Sequence, residues 1–363
     1  MKAGLASIEI HYLVEELQFL IGGRVDNIYN PSNEELLIQF FVSGKSKQML
    51  RIISGKFMYL ASEKEEAGSP SGFCMLLRKH LGNAKLRSIR QIEPERIVEM
   101  LFEKDEIKKV IVELFGKGNI LICDKEDNII SALVYHKFKD REIKQGLKYS
   151  YPQMGINLFD IAEKEIEKVF AESGNTLVKT LATCLGLGGT YSEEICNISG
   201  VDKNKKASEA KQEINPINKA LKRVIKGEKE AAIIFKDKEV KDIVPIKLNI
   251  FEGYEQKVFK SYNEALDHYF LSVKEVPKNP QIEKLKRIIV NQEEKIKSLE
   301  HEEITERQKG DYIYQNYASI GRIVEEIKEV VKKEGWGGLE KKAEGHKIVK
   351  AVKAKDKTVE IEL

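Results

Sequence analysis

Glu95 and Arg96 stand side by side directly after Pro94, at the start of an apolar, strand-like run. An arginine presents a planar fork of donors that fits a phosphate or a base edge. The carboxylate beside it can orient that fork or accept from a base amino group. An ordinary surface ion pair, worth little to stability, would look the same in sequence. The second candidate is Leu185-Gly186-Leu187-Gly188-Gly189, followed by Thr190-Tyr191-Ser192-Glu193. Leu177, Leu181 and Leu185 precede it at helical spacing, and Thr190 with Glu193 has the pattern of a capping box. Helix, glycine hairpin, helix can turn backbone N–H groups at Gly186, Gly188 and Gly189 toward a phosphate. A plain αα-hairpin has the same pattern.

Other chemistry finds no support. No G-x-S-x-G, P-loop or G-x-G-x-x-G occurs, and Gly116-Lys117-Gly118 reads as a hairpin turn. The four cysteines, Cys74, Cys123, Cys184 and Cys196, form no C-x-x-C pair, and the six histidines give no H-x-x-x-H spacing. No catalytic residue, metal site or cofactor is expected. Free thiols in a reducing compartment are the plain reading.

The 363 residues allow two or three domains. Charged residues are 33%, above the average of about 25%, and apolar residues are 42%. That balance excludes a collagen-like chain or one disordered throughout. The Lys/Glu/Ile bias hints at a heat-adapted source. A net charge of +3 requires any basic surface to be local. Lys203, Lys205, Lys206 and Lys211, then Lys219, Lys222, Arg223, Lys226 and Lys229, form such a stretch. It reads as a solvated helix face or as a phosphate-facing patch. No apolar run reaches the ~18–20 residues of a membrane span. The apolar start carries Glu9, Glu15 and Glu16, so it reads as an amphipathic helix and not as a signal peptide. A cytoplasmic protein is expected.

These candidates need elements to hold them. Ile8, Leu13, Leu17, Leu20 and Ile21 predict a first helix, stopped by Gly22-Gly23. Strands are predicted over 25–29, 36–42, 48–53 and 57–61. Phe73, Leu76, Leu77 and Leu81 predict a second helix, with Arg78 and Lys79 pointing away from its stripe and Gly82 ending it. Further strands follow over 86–92, 96–102, 107–115, 119–123 and 129–135. This is an α+β chain whose first part, residues 1–170, is a β-sandwich or barrel with two helices. Residues 171–276 hold the helix-hairpin-helix unit, returning strands and a short helix over 262–272. In residues 277–363, Ile282, Leu285, Ile289, Gln292, Ile296 and Leu299 form a heptad seam. It is interrupted over 301–310 and resumes at Ile313, Tyr317, Ile320, Val324, Ile327 and Val331. A projecting coiled coil is expected, with a last strand over 358–363. The missing second arm would come from further chain or from a partner, including self-association.

Several of these stretches resemble the NFACT family of ribosome-associated quality-control factors. They are Ser69 to Phe73, Leu77 to Leu81, Gln91 to Val98, Gly23 to Asn30 with Glu16-Leu17, and Gly118 to Leu121. The segments Gly146 to Pro152, Leu185 to Gly189, Tyr262 to Asp267 and Tyr312 to Tyr317 also match. The resemblance runs from Met1 to about Trp336. It implies an N-terminal domain similar to formamidopyrimidine-DNA glycosylases, a helix-hairpin-helix domain and a coiled-coil arm. It implies binding to a large ribosomal subunit obstructed by peptidyl-tRNA. It also implies recruitment of tRNA, typically alanyl-tRNA, for template-free C-terminal tailing. The family's acidic helix residue and acid-arginine pair map onto Glu9, Glu95 and Arg96. Both acids are Glu where the family has Asp, so charge is kept and reach grows by one methylene. Arg78, Lys79 and the hairpin glycines Gly186, Gly188 and Gly189 would hold phosphates, and Glu95 with Arg96 would read loop bases. The alternative is a ribosome-docking scaffold without tRNA selection. A glycosylase would need an N-terminal Pro-Glu, and Lys2-Ala3 stand there. Some relatives carry fibronectin-binding names, but an adhesin would need a leader and an anchor, which the sequence does not show.

Overall fold

The computed structural model describes residues 2–64, 69–138, 141–152, 155–275, 280–343 and 348–361, with only part of the side chains between 274 and 304. It divides into two compact units, Met1–Val276 and Pro277–Leu363.

The first unit opens with helix α1 (Ser7–Leu17) and a 3-10 turn, Gln18–Leu20. Strands β1 (Arg24–Tyr29), β2 (Glu35–Phe41), β3 (Gln48–Ile53) and β4 (Phe57–Ala61) follow. Helix α2 (Gly72–Leu81) then leads to β5 (Lys85–Gln91), β6 (Ile97–Glu103), β7 (Ile107–Glu113), β8 (Asn119–Cys123) and β9 (Ile129–Ala132). All nine strands share one antiparallel sheet in the order β4-β3-β2-β1-β5-β6-β7-β8-β9. Two meanders thus meet where β1 pairs with β5. The sheet folds over so that its halves face each other. Phe40 of β2 stacks on Phe102 of β6 at 6.2 Å. Between the halves, Gly55 N–H donates to the Glu113 carbonyl at 3.2 Å. A Cβ on Gly118 would lie 1.8 Å from the Gly55 nitrogen, so the two turns touch backbone to backbone. This is why glycine occupies the turn at Gly118.

A two-residue pair follows, β10 (His136–Lys137) with β11 (Glu142–Ile143). Helices α3 (Glu163–Glu172), α4 (Leu177–Thr183), α5 (Gly188–Ser199) and α6 (Ile214–Ile225) come next. The antiparallel strands β12 (Lys229–Lys236), β13 (Glu239–Ile246) and β14 (Glu255–Phe259) form a second sheet, and α7 (Tyr262–Glu275) closes the unit.

Two apolar cores share their walls. Ile10, Leu13 and Leu17 of α1 face the core of the large sheet, while Ile8 and Tyr12 face the helical core. Strand β12 alternates likewise: Ala231 and Ile233 join the first core, Ala232 and Ile234 the second. Each fully buried leucine or isoleucine contributes about 1.5–3 kcal/mol, and these wall residues serve both cores. The boundary expected at residue 170 therefore does not separate domains. It falls inside α3, whose Ile166, Val169 and Phe170 are buried in the helical core.

The second unit holds α8 (Pro280–Gln315), α9 (Tyr317–Ala343) and the hairpin β15 (Val349–Lys353) with β16 (Thr358–Ile361). Pro280 takes the first helical position, where its missing N–H costs nothing. The helix continues through residues 301–310, where the polar sequence predicted an interruption. Helical bonds also cross Asn316, from Asn316 N–H to the Tyr312 carbonyl (3.1 Å) and from Ile320 N–H to the Asn316 carbonyl (2.9 Å). The break comes later, at Gly335, whose φ is 71°. Of the expected seam, Ile289, Ile296, Leu299, Ile313, Tyr317 and Val324 are exposed. Among the described residues no helix is long and apolar enough to cross a membrane.

Candidate nucleic-acid interface

The strand turn that carries Glu95 and Arg96 joins β5 to β6. Glu95 N–H donates to the Ile92 carbonyl (2.8 Å) and Ile92 N–H to the Ile97 carbonyl (2.9 Å). The turn is tied to the start of α1. Ser7 Oγ donates to the Pro94 carbonyl at 2.6 Å. Gln91 Nε2 donates to the Ser7 carbonyl (3.1 Å), to Ser7 Oγ (3.0 Å) and to the Glu95 carbonyl (3.0 Å). Opposite lies the α4–α5 hairpin. Gly186 and Gly188 adopt φ of 66° and 73°, a region that favours glycine. That geometry starts α5 at Gly188, with Leu187 as N-cap, three residues earlier than the capping-box pattern predicted. Thr190 is then inside the helix, and its hydroxyl donates to Asp242 Oδ2 at 2.9 Å. Glu193 pairs instead with Lys203 at 2.9 Å.

These pieces enclose a cavity of about 480 Å³ lined by Gly4–Ser7, Pro94–Arg96, Gly155–Ile156, Ala182–Gly186 and Gly188. The two candidates that were separate in sequence line one space. Arg96 is half-buried there, and among the described residues its guanidinium has no hydrogen-bond partner. Burial pushes the guanidinium below its ordinary value, and the charges of Glu95 and Glu9 oppose that shift. Glu95 Oε1 accepts from Gly155 N–H at 3.2 Å. The N-cap residue of α5, Leu187, makes no side-chain cap. The first N–H groups of α5 therefore keep their donors, with the positive end of the helix dipole behind them. A cavity with an unengaged guanidinium and an uncapped helix start suits an anionic, planar-edged ligand such as a nucleotide.

Other candidates fall elsewhere. Glu9 is only 1% exposed. Its carboxylate accepts from Lys2 Nζ (2.7 Å), Ala6 N–H (2.8 Å) and Tyr191 OH (3.0 Å). Burial pushes Glu9 up, against the pull of Lys2. Burial lowers Lys2, yet Glu9 and Asp242 together hold it above the ordinary lysine range. Glu9 is thus buried among these partners and does not itself line the cavity. Arg78 Nε donates to the Ile28 carbonyl at 2.7 Å, which pins α2 to β1. Lys79 is exposed on α2. Neither lines the cavity, because α2 packs on β1 and β9, away from the β5–β6 turn. Gly189 lies inside α5 and does not line it either. In the basic stretch, Lys203 pairs with Glu193 and Lys205 with Glu213. Lys219, Lys222, Arg223 and Lys226 form an exposed face of α6.

The sequence reading missed Ser7, Gln91, Gly155 and Cys184. No local signal marks the first three, because the contacts between Ser7 and the β5–β6 turn and between Gly155 and Glu95 join distant parts of the chain. Cys184 was visible as the residue before Leu185, and it is the only exposed cysteine of the four.

With that geometry in place, comparison with known proteins defines the class. The fold is an α+β arrangement of a large antiparallel sheet with helices. It matches the N-terminal region of a fibronectin/fibrinogen-binding protein from Streptococcus suis at a TM-score of 0.61, with 22% identity over 74% of this chain and 100% of that one. A fibrinogen-binding protein from Staphylococcus aureus matches at 0.59, with 24% identity over 73% of this chain and 98% of that one. The family model of NFACT N-terminal and middle domains matches residues 7–340. This chain belongs to the NFACT family. An archaeal Rqc2 homolog (aRqcH) from Methanocaldococcus jannaschii is 33% identical over 94% of this chain and 54% of its own length. The ribosome quality control complex subunit NEMF of Homo sapiens is 24% identical over 97% of this chain and 37% of its own. The chain spans about half or less of these two relatives.

Proposed function

We propose that this chain is the RNA-holding head of a ribosome-associated quality-control factor. It binds a tRNA, with alanyl-tRNA as the first candidate, on a large ribosomal subunit obstructed by peptidyl-tRNA. In this reading it supports template-free tailing of the stalled chain in the cytoplasm, and peptide-bond chemistry belongs to the ribosome. The names of the relatives support the ribosomal setting. The observation that carries RNA binding is Arg96: a half-buried guanidinium with no hydrogen-bond partner among the described residues, facing an uncapped helix start across one cavity. Arg96 takes a base edge or phosphate, Glu95 accepts from a base amino group, and the hairpin N–H groups at Gly186 and Gly188 take a phosphate. Glu9 acts by holding the start of α1, not by touching RNA. The exposed Lys79 and the basic face of α6 add sequence-independent attraction. The exposed seam of α8 and α9 pairs with another helix.

Affinity selection of total cellular RNA on the purified chain tests this. One or a few tRNAs should be enriched, and Arg96→Ala should lose them. Retention should fall steeply with salt, as phosphate contacts require. Unselective retention that Arg96→Ala leaves unchanged would favour the docking scaffold without tRNA selection.

A further inference from the structure

A second cleft lies beside the Arg96 cavity: Gly4 of that cavity approaches Lys56 of the cleft, where an added Cβ would lie 3.2 Å from the Lys56 carbonyl. Leu114 N–H donates to the Arg96 carbonyl at 2.8 Å, and Leu5 N–H donates to the Lys56 carbonyl at 2.8 Å. Lys56 itself and Phe115, the residue after Leu114, line a cleft of about 630 Å³. Its walls include Ser54, Gly116–Gly118, Val134, His136 and Phe138. Val134 and Phe138 are exposed, at 52% and 41%.

The aromatic wall is held in position from below. Glu113 is buried and pairs with Arg141 Nη1 at 2.6 Å. It also accepts from Tyr149 OH at 2.8 Å. The anchored Arg141 guanidinium lies 4.8 Å from the Phe138 ring centre and 5.9 Å from that of Phe115. His136 meets Phe138 edge-on at 4.3 Å. A ring fixed in this way loses little freedom when a second ring stacks on it. Ser54 also lines the cleft. It is 5% exposed, and its hydroxyl oxygen has no hydrogen-bond partner among the described residues. A buried hydroxyl normally has one. Charge at the rim is mixed: Lys117 is exposed with no partner among the described residues, and Lys56 is shared with Glu34 at 3.4 Å.

We propose that this cleft takes an unstacked base of the same RNA strand that Arg96 engages. The base stacks on Phe138 against Val134, and Lys117 takes the adjoining phosphate. The inference rests on the RNA-binding reading above and deepens it. The occupant follows from adjacency to the Arg96 cavity and from pairing an aromatic wall with a lysine that has no partner among the described residues, which together match a base and its phosphate.

The test uses RNA stem-loops carrying 2-aminopurine at each loop position in turn, with affinity and fluorescence read together. Stacking in the cleft should quench the probe at one loop position. Phe138→Ala should weaken binding about 5–150-fold and abolish that quenching, and Phe138→Tyr should restore both. Lys117→Ala should weaken binding without abolishing the quenching. If Phe138→Ala binds and quenches like the wild type while Arg96→Ala loses binding, the cleft is overturned and the Arg96 reading stands. If neither variant changes binding, both are overturned. Equal affinity for a blunt duplex of the same stem would also overturn the unstacked base.

Discussion

At the scale of residues, Arg96 and Glu9 show how far type and position carry. Both are charged, and both belong to the pattern that the family resemblance picked out. The fold leaves Arg96 with open donors at a cavity and gives Glu9 three partners in the interior. Arg96 was legible because a strand turn after proline can be seen in ten residues. The burial of Glu9 was not legible because its neighbours, Tyr191 and the Lys2–Asp242 pair, are set by contacts across most of the unit. Lys2 links Glu9 at 2.7 Å to Asp242 at 2.5 Å. Removing it leaves two carboxylates without their counter-charge in a nearly dry site. Lys2→Met should therefore cost about 3–5 kcal/mol in denaturant unfolding. The double variant Lys2→Met/Glu9→Gln should recover part of that loss, since one of the stranded charges is gone. An unchanged unfolding midpoint in Lys2→Met would show that the buried network does not support the cavity floor.

At the scale of elements, the strands over 48–53, 57–61 and 119–123 were readable to the residue, and the ends of the other strands of the large sheet shifted by up to three residues. The exceptions have physical causes. Helix α3 is rich in Glu and Lys, and its buried Ile166, Val169 and Phe170 are too few to stand out beside the strand-rich run before it. The capping-box pattern at Thr190 was overridden because two glycines with positive φ let α5 begin earlier. Helix α8 passes through a polar stretch because backbone bonding does not need an apolar stripe there. The closure of the sheet on itself had no local signal beyond glycines at two distant turns. That contact yields a sharp contrast. At Gly116 an added Cβ meets nothing within 4 Å, so Gly116→Ala should cost only the positive-φ strain, about 1–2 kcal/mol. At Gly118 the same atom would run into the backbone of Gly55. Gly118→Ala should cost clearly more, about 2–5 kcal/mol. Equal midpoints in denaturant unfolding for the two variants would contradict the backbone-to-backbone contact.

At the scale of the molecule, α1 and β12 wall two cores at once. The β5–β6 turn and the α4–α5 hairpin are therefore held against one another through the packed interior of a single unit. That arrangement turns two weak motifs into one cavity, and no reading of either motif alone could reveal it. Cys184 lines this cavity as an exposed thiol, while Cys74, Cys123 and Cys196 are buried. Burial pushes the Cys123 and Cys196 thiols up to about 12 and about 11, which keeps them protonated and slow to react at neutral pH. A small alkylating agent should thus modify Cys184 first in the native chain. The most direct test of RNA binding at Arg96 is the rate of that alkylation with and without bound tRNA, with occupancy measured separately by gel shift. The account predicts strong protection of Cys184 at saturating tRNA, lost in Arg96→Ala. Alkylation at the same rate with tRNA bound would place the RNA elsewhere and contradict the account.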